Sequence, residues 1–320
     1  MAEITNTYSS YDAVGNREEL LDKIYDVSKT ETPLLNSIGS GQCDSVHPEW
    51  QTDALASPDG DNKYLEGDIF TFAAITPTVR VGTYTQISQK RFSVTGTQQV
   101  VNKAGREKEA GYQLVRKIKE LKRDTEARIS GNYASVAGVD GTTERETAGI
   151  EAWLTSNVSR GTGGSNGGFS AGIVAAATNG TLRTFTETML KDTIQSCWDN
   201  SESVPNLGIM SSALRKKASS FAGHATSESK AENKRIIATF EIYESDFGAI
   251  TFVPSIYTGG RSCVLVNPEY AEIQYLKERK LIVTDVAKTA DSIDKAIISE
   301  YALCVKNEKA HGIVADIQDT

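Results

Sequence analysis

The sequence has few of the side chains that enzymes and metal proteins use for chemistry. Its 320 residues include only four cysteines and three histidines. The cysteines form no CxxC pair, so the sequence indicates neither a zinc site nor a redox motif, and we expect free, mostly buried thiols. The histidines stand apart from one another and from acidic pairs at ligand spacing, so we expect each at the surface or at an interface. The residues are Cys43, Cys197, Cys263 and Cys304, and His47, His224 and His311.

Sequence motifs of catalysis are also missing. The chain has no GxSxG elbow and no paired carboxylates beyond chance. Residues 161–168, GTGGSNGG, depart from GxGxxG at Asn166 and lack the GKS or GKT of a phosphate loop. We therefore predict a flexible linker there, and no enzyme activity, cofactor or metal.

Basic residues and long apolar runs are scarce as well. The formal net charge is −8, so the chain lacks the excess of Lys and Arg that tight nucleic-acid binding requires. No window approaches the ~18 apolar residues of a membrane span, and residues 1–6 do not resemble a signal peptide. We expect a soluble protein that is made in the cytoplasm and has no membrane partner.

The chain does have a marked order of segments. Residues 1–45 form an acidic, small-residue arm, with a short amphipathic helix predicted over 17–25 and an extended passage over 30–35. Residues 78–88 alternate as a strand does, and the run 46–55 is the predicted antiparallel mate. A two-stranded ribbon with a polar tip at 57–62 is marginal alone, so it needs a partner surface.

A helical period follows over residues 97–133. Its apolar stripe is Leu114, Ile118, Leu121, Thr125, Ile129 and Tyr133, and Thr95 or Thr97 is the predicted N-cap. We expect ion pairs at i,i+4 spacing for Arg116–Glu120, Lys122–Glu126 and Asp124–Arg128. Residues 103–128 carry nine Lys or Arg against five acids, which fits a solvated helix back or, less well, a nucleic-acid face.

Residues from 184 onward mix both periods and predict a compact α+β region. A helix is expected after a capping pair of Thr184 and Glu187, with Trp198 among its inward residues. Strands are predicted at 207–210, 249–253 and 263–266, with a helix through Leu214, Ala218 and Phe221. Asn267 and Pro268 predict a further helix start, and residues 296–305 and 312–317 predict closing strands.

This order resembles the major capsid proteins of tailed bacteriophages that share the Hong Kong 97 fold. The motifs that resemble one branch of phage major head proteins are DVSKTETPL at 26–34, EWQTD at 49–53, TYTQI at 83–87, SVTGTQ at 93–98 and ELKRD at 120–124. VLVNP at 264–268 matches a strand-to-helix step of the axial domain. The resemblance covers nearly the whole chain and is specific over 26–130.

The resemblance implies an α+β, Hong Kong 97-like capsid fold in five parts. These are an N-terminal arm (1–45), a β-hairpin extended loop (46–96), a peripheral domain (97–180) with a spine helix (97–133), an axial domain (181–290) and a return strand of the peripheral domain (291–320). It implies a virion shell of pentamers and hexamers that encloses double-stranded DNA. The implied interface residues are Trp50, Asp59, Lys63, Tyr84, Lys90, Arg116 and Lys122.

Partners and alternatives follow from the same resemblance. The arm is shorter than the scaffolding domain of the family's type member, so we expect a separate scaffolding protein, with a portal and possible decoration protein as further partners. That member crosslinks its subunits through a Lys and an Asn, but nothing assigns such a bond to Lys63 or Lys90. The alternatives are an encapsulin-like compartment, a tail-tube or decoration protein, and an enzyme with an unrecognised site.

Overall fold

The computed structural model describes residues 28–221, 242–288 and 290–319. The helices are α1 Pro33–Ser37, α2 Gly96–Val100, α3 Glu109–Ser130, α4 Ile150–Trp153, α5 Glu187–Ser201 and α6 Ser212–Ala218. The strands are β1 Gly39–Cys43, β2 Glu49–Thr52, β3 Val79–Gly82, β4 Gln86–Thr95, β5 Val158–Ser159, β6 Gly168–Ser170, β7 Ile173–Ala175, β8 Arg183–Thr184, β9 Leu207–Met210, β10 Ile242–Ser245, β11 Gly248–Pro254, β12 Ser262–Val266, β13 Ala271–Leu276, β14 Ile282–Asp285, β15 Ser292–Val305, β16 Gly312–Ala315 and β17 Ile317–Gln318. The predicted short helix at 17–25 and His224 lie outside the described residues.

A five-stranded sheet is organised around β15, the longest strand. β15 pairs antiparallel with β4 along one edge, and with β14 and then β13 along the other. β1 extends the sheet by pairing parallel to β13. Residues 299–305 of β15 are all buried, so this strand is covered on both of its faces. The strand predicted over 296–305 is confirmed, and it begins four residues earlier.

A second sheet has the order β10-β11-β9-β12-β16-β5. Its central strands are fully buried, so they read as continuous apolar runs rather than as alternating ones. The predicted strands at 207–210, 249–253 and 263–266 are all confirmed. Helices α5 and α6 pack on this sheet through Leu190, Ile194 and Leu214.

One buried cluster joins the two sheets. It brings α3 and α4, through Ile129 and Trp153, against Ile209 and Val264 of the second sheet and Tyr301 of the first. The two sheets therefore share a hydrophobic core and do not fold as separate units.

The single spine helix predicted over 97–133 is wrong, because the structure has two helices there. Thr95 is the N-cap of α2, as predicted, and its side chain accepts a hydrogen bond from the Gln98 amide. Lys103 Nζ then donates to carbonyls at the end of α2, and Gly105 takes a left-handed φ of 74°. The Gln99 side chain accepts from the Ala110 amide at the start of α3. These polar contacts satisfy both helix ends, so the chain gains little by continuing the helix.

The ion pairs predicted along this helix are not the ones that form. Glu120 pairs with Lys117, and Asp124 pairs with Lys90 of β4. Arg128 pairs with Glu146. Tertiary partners therefore replace two of the three local pairs, and the buried Glu126 accepts from the amides of Leu34 and Leu35.

The helix predicted after Pro268 is also wrong. Asn267 does cap the segment and accepts from the Glu269 amide, but the helix ends after the single 3₁₀ turn Pro268–Tyr270. Strand β13 follows, with Ala271 and Ile273 buried on one face. The alternating residues of β13 pair with β15, and this pairing outweighs the helix-start signal of Asn267 and Pro268.

Three smaller expectations differ from the structure. The passage predicted as extended over 30–35 turns into helix α1 at Pro33. The cap of α5 is Thr186 rather than Thr184, and Trp198 of that helix is 42% exposed.

Segment 161–168 is a folded turn and not a linker. The amide of Gly161 donates to the Asp316 carboxylate, and Ser165 pairs with Thr178. A Cβ at Gly161 would lie 2.1 Å from the Thr181 carbonyl oxygen, so the glycine is required by close backbone packing.

The two sheets take their strands from segments that the predicted domain bounds would separate. β13 and β14 lie within the predicted axial segment 181–290, yet they are hydrogen-bonded to β15. β16 lies in the predicted return segment 291–320, yet it pairs with β12 of the second sheet. Such crossings depend on long-range pairing, which local patterns do not reveal.

Candidate functional site

The base of the extended loop is a short ribbon made by β2 and β3, as the alternation predicts. Trp50 pairs with Val81 across the ribbon, and Glu49 forms an ion pair with Arg80 at 3.2 Å. The Trp50 ring packs on Trp153 of α4, with ring centroids 5.6 Å apart. The ribbon is therefore anchored in the core of its own subunit.

A buried carboxylate fixes the chain where the ribbon returns to the sheet. Glu300 of β15 is 2% exposed. It accepts a hydrogen bond from Thr85 Oγ1 at 2.9 Å and pairs with Arg145 at 2.9 Å and Arg279 at 2.8 Å. Tyr84, which precedes Thr85 in the chain, stacks on His47 with ring centroids 4.2 Å apart. These contacts set the direction in which the loop leaves the subunit.

Residues 53–78 are the part of the extended loop (46–96) that lies beyond the ribbon, and they carry large apolar side chains into solvent. Each of the seven is at least 77% exposed, and they are Leu55, Tyr64, Leu65, Ile69, Phe70, Phe72 and Ile75. Single exposed apolar residues are ordinary, but seven large ones between positions 55 and 75 are typical of a binding surface. The loop therefore presents an apolar surface that its own subunit does not cover.

The predicted tip residues Asp59 and Lys63 lie on this loop. Asp59 accepts a hydrogen bond from the Asp61 amide, and Lys63 pairs with Asp61 at 2.5 Å. Both contacts are local and exposed, so they shape the tip without tying it to the rest of the subunit.

The remaining predicted interface residues lie at or beside α3. Arg116 and Lys122 are exposed on the helix, and the Arg116 guanidinium lies 5.8 Å from the Tyr112 ring centroid. Lys90 instead pairs with Asp124 between β4 and α3, which gives it a role within the subunit. The structure thus gathers the seven residues at three places: the loop base, the loop tip and the face of α3.

The apolar content of the loop was not predicted. The sequence predicted a polar tip at 57–62, and the role of Ile69, Phe70 and Phe72 was not recognised. The available signal was the presence of bulky apolar residues in a segment without helical or strand periodicity.

The thiols and histidines supply no reactive centre in the described residues. All four cysteines are free and buried, as predicted. Burial raises the pKa of Cys197 and of Cys304 to about 12, so these thiols stay protonated near neutral pH. His311 is fully buried, which contradicts the surface position predicted for it. Its Nδ1 accepts a hydrogen bond from the Asn267 amide.

The described residues contain no metal-binding cluster and no membrane-spanning helix. Across 28–221, 242–288 and 290–319, no group of three or more His, Cys, Asp or Glu side chains is placed to bind a metal. Within those ranges, no helix has the length and apolar character needed to cross a membrane.

Comparison with known sequences identifies related proteins. A family model described as SU10 major capsid protein matches residues 4–318. The major capsid protein of Escherichia phage Phieco32 is 37% identical over 119 residues, which is 37% of this chain and 34% of that protein. The matched region therefore spans about a third of the length of this curated relative.

Solved structures are similar along nearly the whole chain. The capsid of a native GTA particle aligns with a TM-score of 0.64 and 10% identity, covering 96% of this chain and 97% of that one. The capsid of cyanophage A-1(L) aligns with a TM-score of 0.62 and 13% identity, covering 98% and 99%. These likenesses confirm the predicted α+β capsid fold. The matched proteins are capsids, which does not favour the encapsulin alternative.

Proposed function

The chain belongs to the SU10 major capsid protein family, and from that premise we propose that it is the subunit that builds the head shell of a tailed bacteriophage. Copies assemble as pentamers and hexamers into an icosahedral or prolate shell around double-stranded DNA. The subunit is made in the host cytoplasm and acts in the virion as a structural protein without enzymatic activity. A separate scaffolding protein, a portal and a decoration protein are its proposed partners.

The observation that carries this proposal is the apolar extended loop. Its seven large side chains are 77–99% exposed in the subunit. Burying apolar surface stabilises association by about 25 cal/mol per Å². A shell offers every loop a neighbouring copy to cover, so assembly removes a surface that is unfavourable in the isolated subunit.

The parts of the fold take proposed roles within the shell. We assign the first sheet with α3 to a peripheral domain and the second sheet with α5 and α6 to an axial domain around the five- and six-fold axes. The loop lies over the next subunit, so the contacts are heterologous and close into rings. The net charge of −8 suits a wall that encloses DNA without trapping it.

Deleting residues 53–66 tests the proposal. This deletion removes the tip and shortens the loop but leaves β2, β3 and the buried contacts of Glu300 in place. We expect a folded subunit with a wild-type melting temperature that forms no stable shells, measured by sedimentation and electron microscopy.

A matched control changes only polar residues of the same loop. Ser57→Ala with Asn62→Ala keeps the loop length and its apolar side chains, so shells should form as in the wild type. Normal particles from the deletion variant would show that the loop is not an assembly element.

A further inference from the structure

Three arginines meet at Asp316, a residue with 1% of its surface exposed. Arg261 Nη2 donates to the Asp316 carboxylate at 2.7 Å, and the amide of Gly161, which follows Arg160, donates to it at 3.2 Å. The Arg183 amide donates to the Asp316 carbonyl at 2.9 Å. Segments that lie far apart in sequence thus bring three guanidinium groups together, and we call Arg160, Arg183 and Arg261 the arginine cluster.

The arginine cluster has more positive than negative charge. Burial lowers the pKa of Arg160 and of Arg183, and the Asp316 carboxylate opposes this shift in both. Glu151 is a second acid beside the cluster, but its burial raises its pKa and so favours the uncharged carboxyl group. Three cations then face one anion, and a surplus of charge in a partly buried place is unfavourable.

Each guanidinium of the cluster also has a nitrogen without an acceptor. Arg160 Nε donates to Asn166 Oδ1 at 2.9 Å. Arg183 Nη2 donates to Ser159 Oγ at 2.8 Å. Among the described residues, however, Arg160 Nη2, Arg183 Nε and Arg261 Nε are buried nitrogens that make no hydrogen bond. A buried donor without an acceptor is unfavourable, so the cluster gains from a group that brings both oxygen acceptors and negative charge.

The cluster is only partly covered by the chain. The Arg261 side chain is 37% exposed, and Arg160 and Arg183 are half-buried. The glycine-rich turn beside them carries no bulky side chain at its exposed positions Thr162 and Gly163, and a Cβ at Gly163 would meet no atom within 4 Å. An approach from solvent is therefore open on the side of the turn.

We propose that the arginine cluster binds a phosphate group. A guanidinium matches phosphate oxygens with paired N–H donors, and the surplus of positive charge balances the charge of a phosphate. A carboxylate has two oxygens, which is too few for three guanidiniums. The donors are side chains, because the turn lacks the lysine of a nucleotide-binding phosphate loop. The phosphate is the free ion or a phosphodiester of enclosed DNA, and only the second source rests on the proposed function.

Titration of the full-length chain with inorganic phosphate tests the proposal. The site variant is Arg160→Gln with Arg183→Gln, which removes two guanidiniums and keeps the ion pair of Arg261. The lysine variant, Arg160→Lys with Arg183→Lys, keeps the charge and loses the paired donors. The control, Lys216→Gln with Lys277→Gln, makes the same change of charge at exposed positions outside the cluster. Calorimetry measures the Kd for phosphate, and circular dichroism checks folding.

We expect the site variant to raise the Kd for phosphate at least about tenfold, because charge-assisted hydrogen bonds from two guanidiniums are lost. The lysine variant should lie between the site variant and the wild type, and the control should bind as the wild type does. If the site variant does not fold, the lysine variant decides. A Kd raised about threefold or more in that variant supports the site, and an unchanged Kd contradicts it.

A short DNA duplex distinguishes the two sources of phosphate. If the cluster takes a phosphodiester of DNA, the duplex displaces inorganic phosphate from the wild-type chain. The site variant then binds the duplex more weakly and with a smaller dependence on salt. If the cluster takes the free ion, the duplex displaces nothing, and the site variant changes only the Kd for phosphate.

Other outcomes overturn the inference. If the folded wild-type chain binds no inorganic phosphate, the cluster is not a phosphate site. If the control weakens binding as much as the site variant does, the binding depends on net charge and not on the cluster. If phosphate does not bind but the site variant no longer forms shells, the cluster contacts a neighbouring copy instead. Shell formation by the wild type is measured separately by sedimentation, so failure of the proposed function and failure of the phosphate site are different results.

Discussion

His311 has a structural role in the fold and not a catalytic one. It lies between the turn Glu308–Ala310 and β16, with no exposed surface. Its Nδ1 accepts a hydrogen bond from the Asn267 amide at 3.1 Å, and the Asn267 side chain caps the turn before β13. One neutral imidazole therefore connects the passages that lead into both sheets.

This burial makes the stability of the subunit depend on pH. Burial lowers the pKa of His311 from 6.5 to about 4. Between these values the unfolded chain binds a proton that the folded chain does not, so the free energy of unfolding falls as the pH falls from 6.5 to 4. The loss from this group is about 3 kcal/mol, and it is absent above pH 6.5. Urea unfolding at several pH values measures it.

A matched pair of substitutions assigns the effect. His311→Asn keeps a hydrogen-bond acceptor but does not titrate, so it should lower stability at pH 7 and flatten the pH dependence. Gln195→Asn changes a residue that does not titrate, at an exposed position of α5, and should leave the wild-type slope. An unchanged slope in the His311→Asn variant would contradict the account.

At the residue scale, the sequence predicted some features and not others. The free, buried state of the cysteines followed from their spacing and is confirmed. The burial of His311 could not be predicted, because its partner Asn267 is 44 residues away in sequence. The same limit applies to Glu126, for which a local pair with Lys122 was predicted.

Glu126 connects two elements and not two neighbours on one helix. Its carboxylate is fully buried on α3 and accepts from the amides of Leu34 and Leu35, at 2.9 and 2.8 Å. These amides belong to the first turn of α1, where no helical carbonyl is available to them. Burial raises the pKa of Glu126, while the two hydrogen bonds oppose that rise. The carboxylate thus attaches the arm to α3.

Removing this carboxylate should detach α1. Glu126→Ala leaves two amides without a partner and is expected to cost about 2–4 kcal/mol of unfolding free energy. Hydrogen exchange at Leu34 and Leu35 should rise together with that loss. Glu120→Ala on the same helix removes a partly exposed ion pair with Lys117 and should cost less than about 1 kcal/mol. Equal effects of the two substitutions would exclude the proposed attachment.

At the element scale, periodicity predicted the strands better than the helix limits. β-alternation over 78–88 and 296–305 gave β3, part of β4 and most of β15. The prediction of one long helix over 97–133 was wrong because the side chains of Gln99 and Lys103 satisfy helix ends within this range. The helix predicted after Pro268 was wrong because this segment forms β13, whose partner strand β15 is distant in sequence.

The subunit consists of two sheets with a shared core and an apolar loop that this core does not cover. The two sheets share one core, and the last 30 residues pass through both of them. The contacts of Glu300 hold the loop base to this core, while the apolar loop extends from it. A sequence can suggest such a loop, but which neighbouring surface it covers depends on assembly.

Electron microscopy of the full-length chain, alone and with its scaffolding candidate, tests the central claim most directly. The account predicts closed, uniform shells or rings of five and six subunits in at least one of the two conditions. A monodisperse monomer in both would contradict the claim that this subunit builds a head shell, while leaving its fold unchanged.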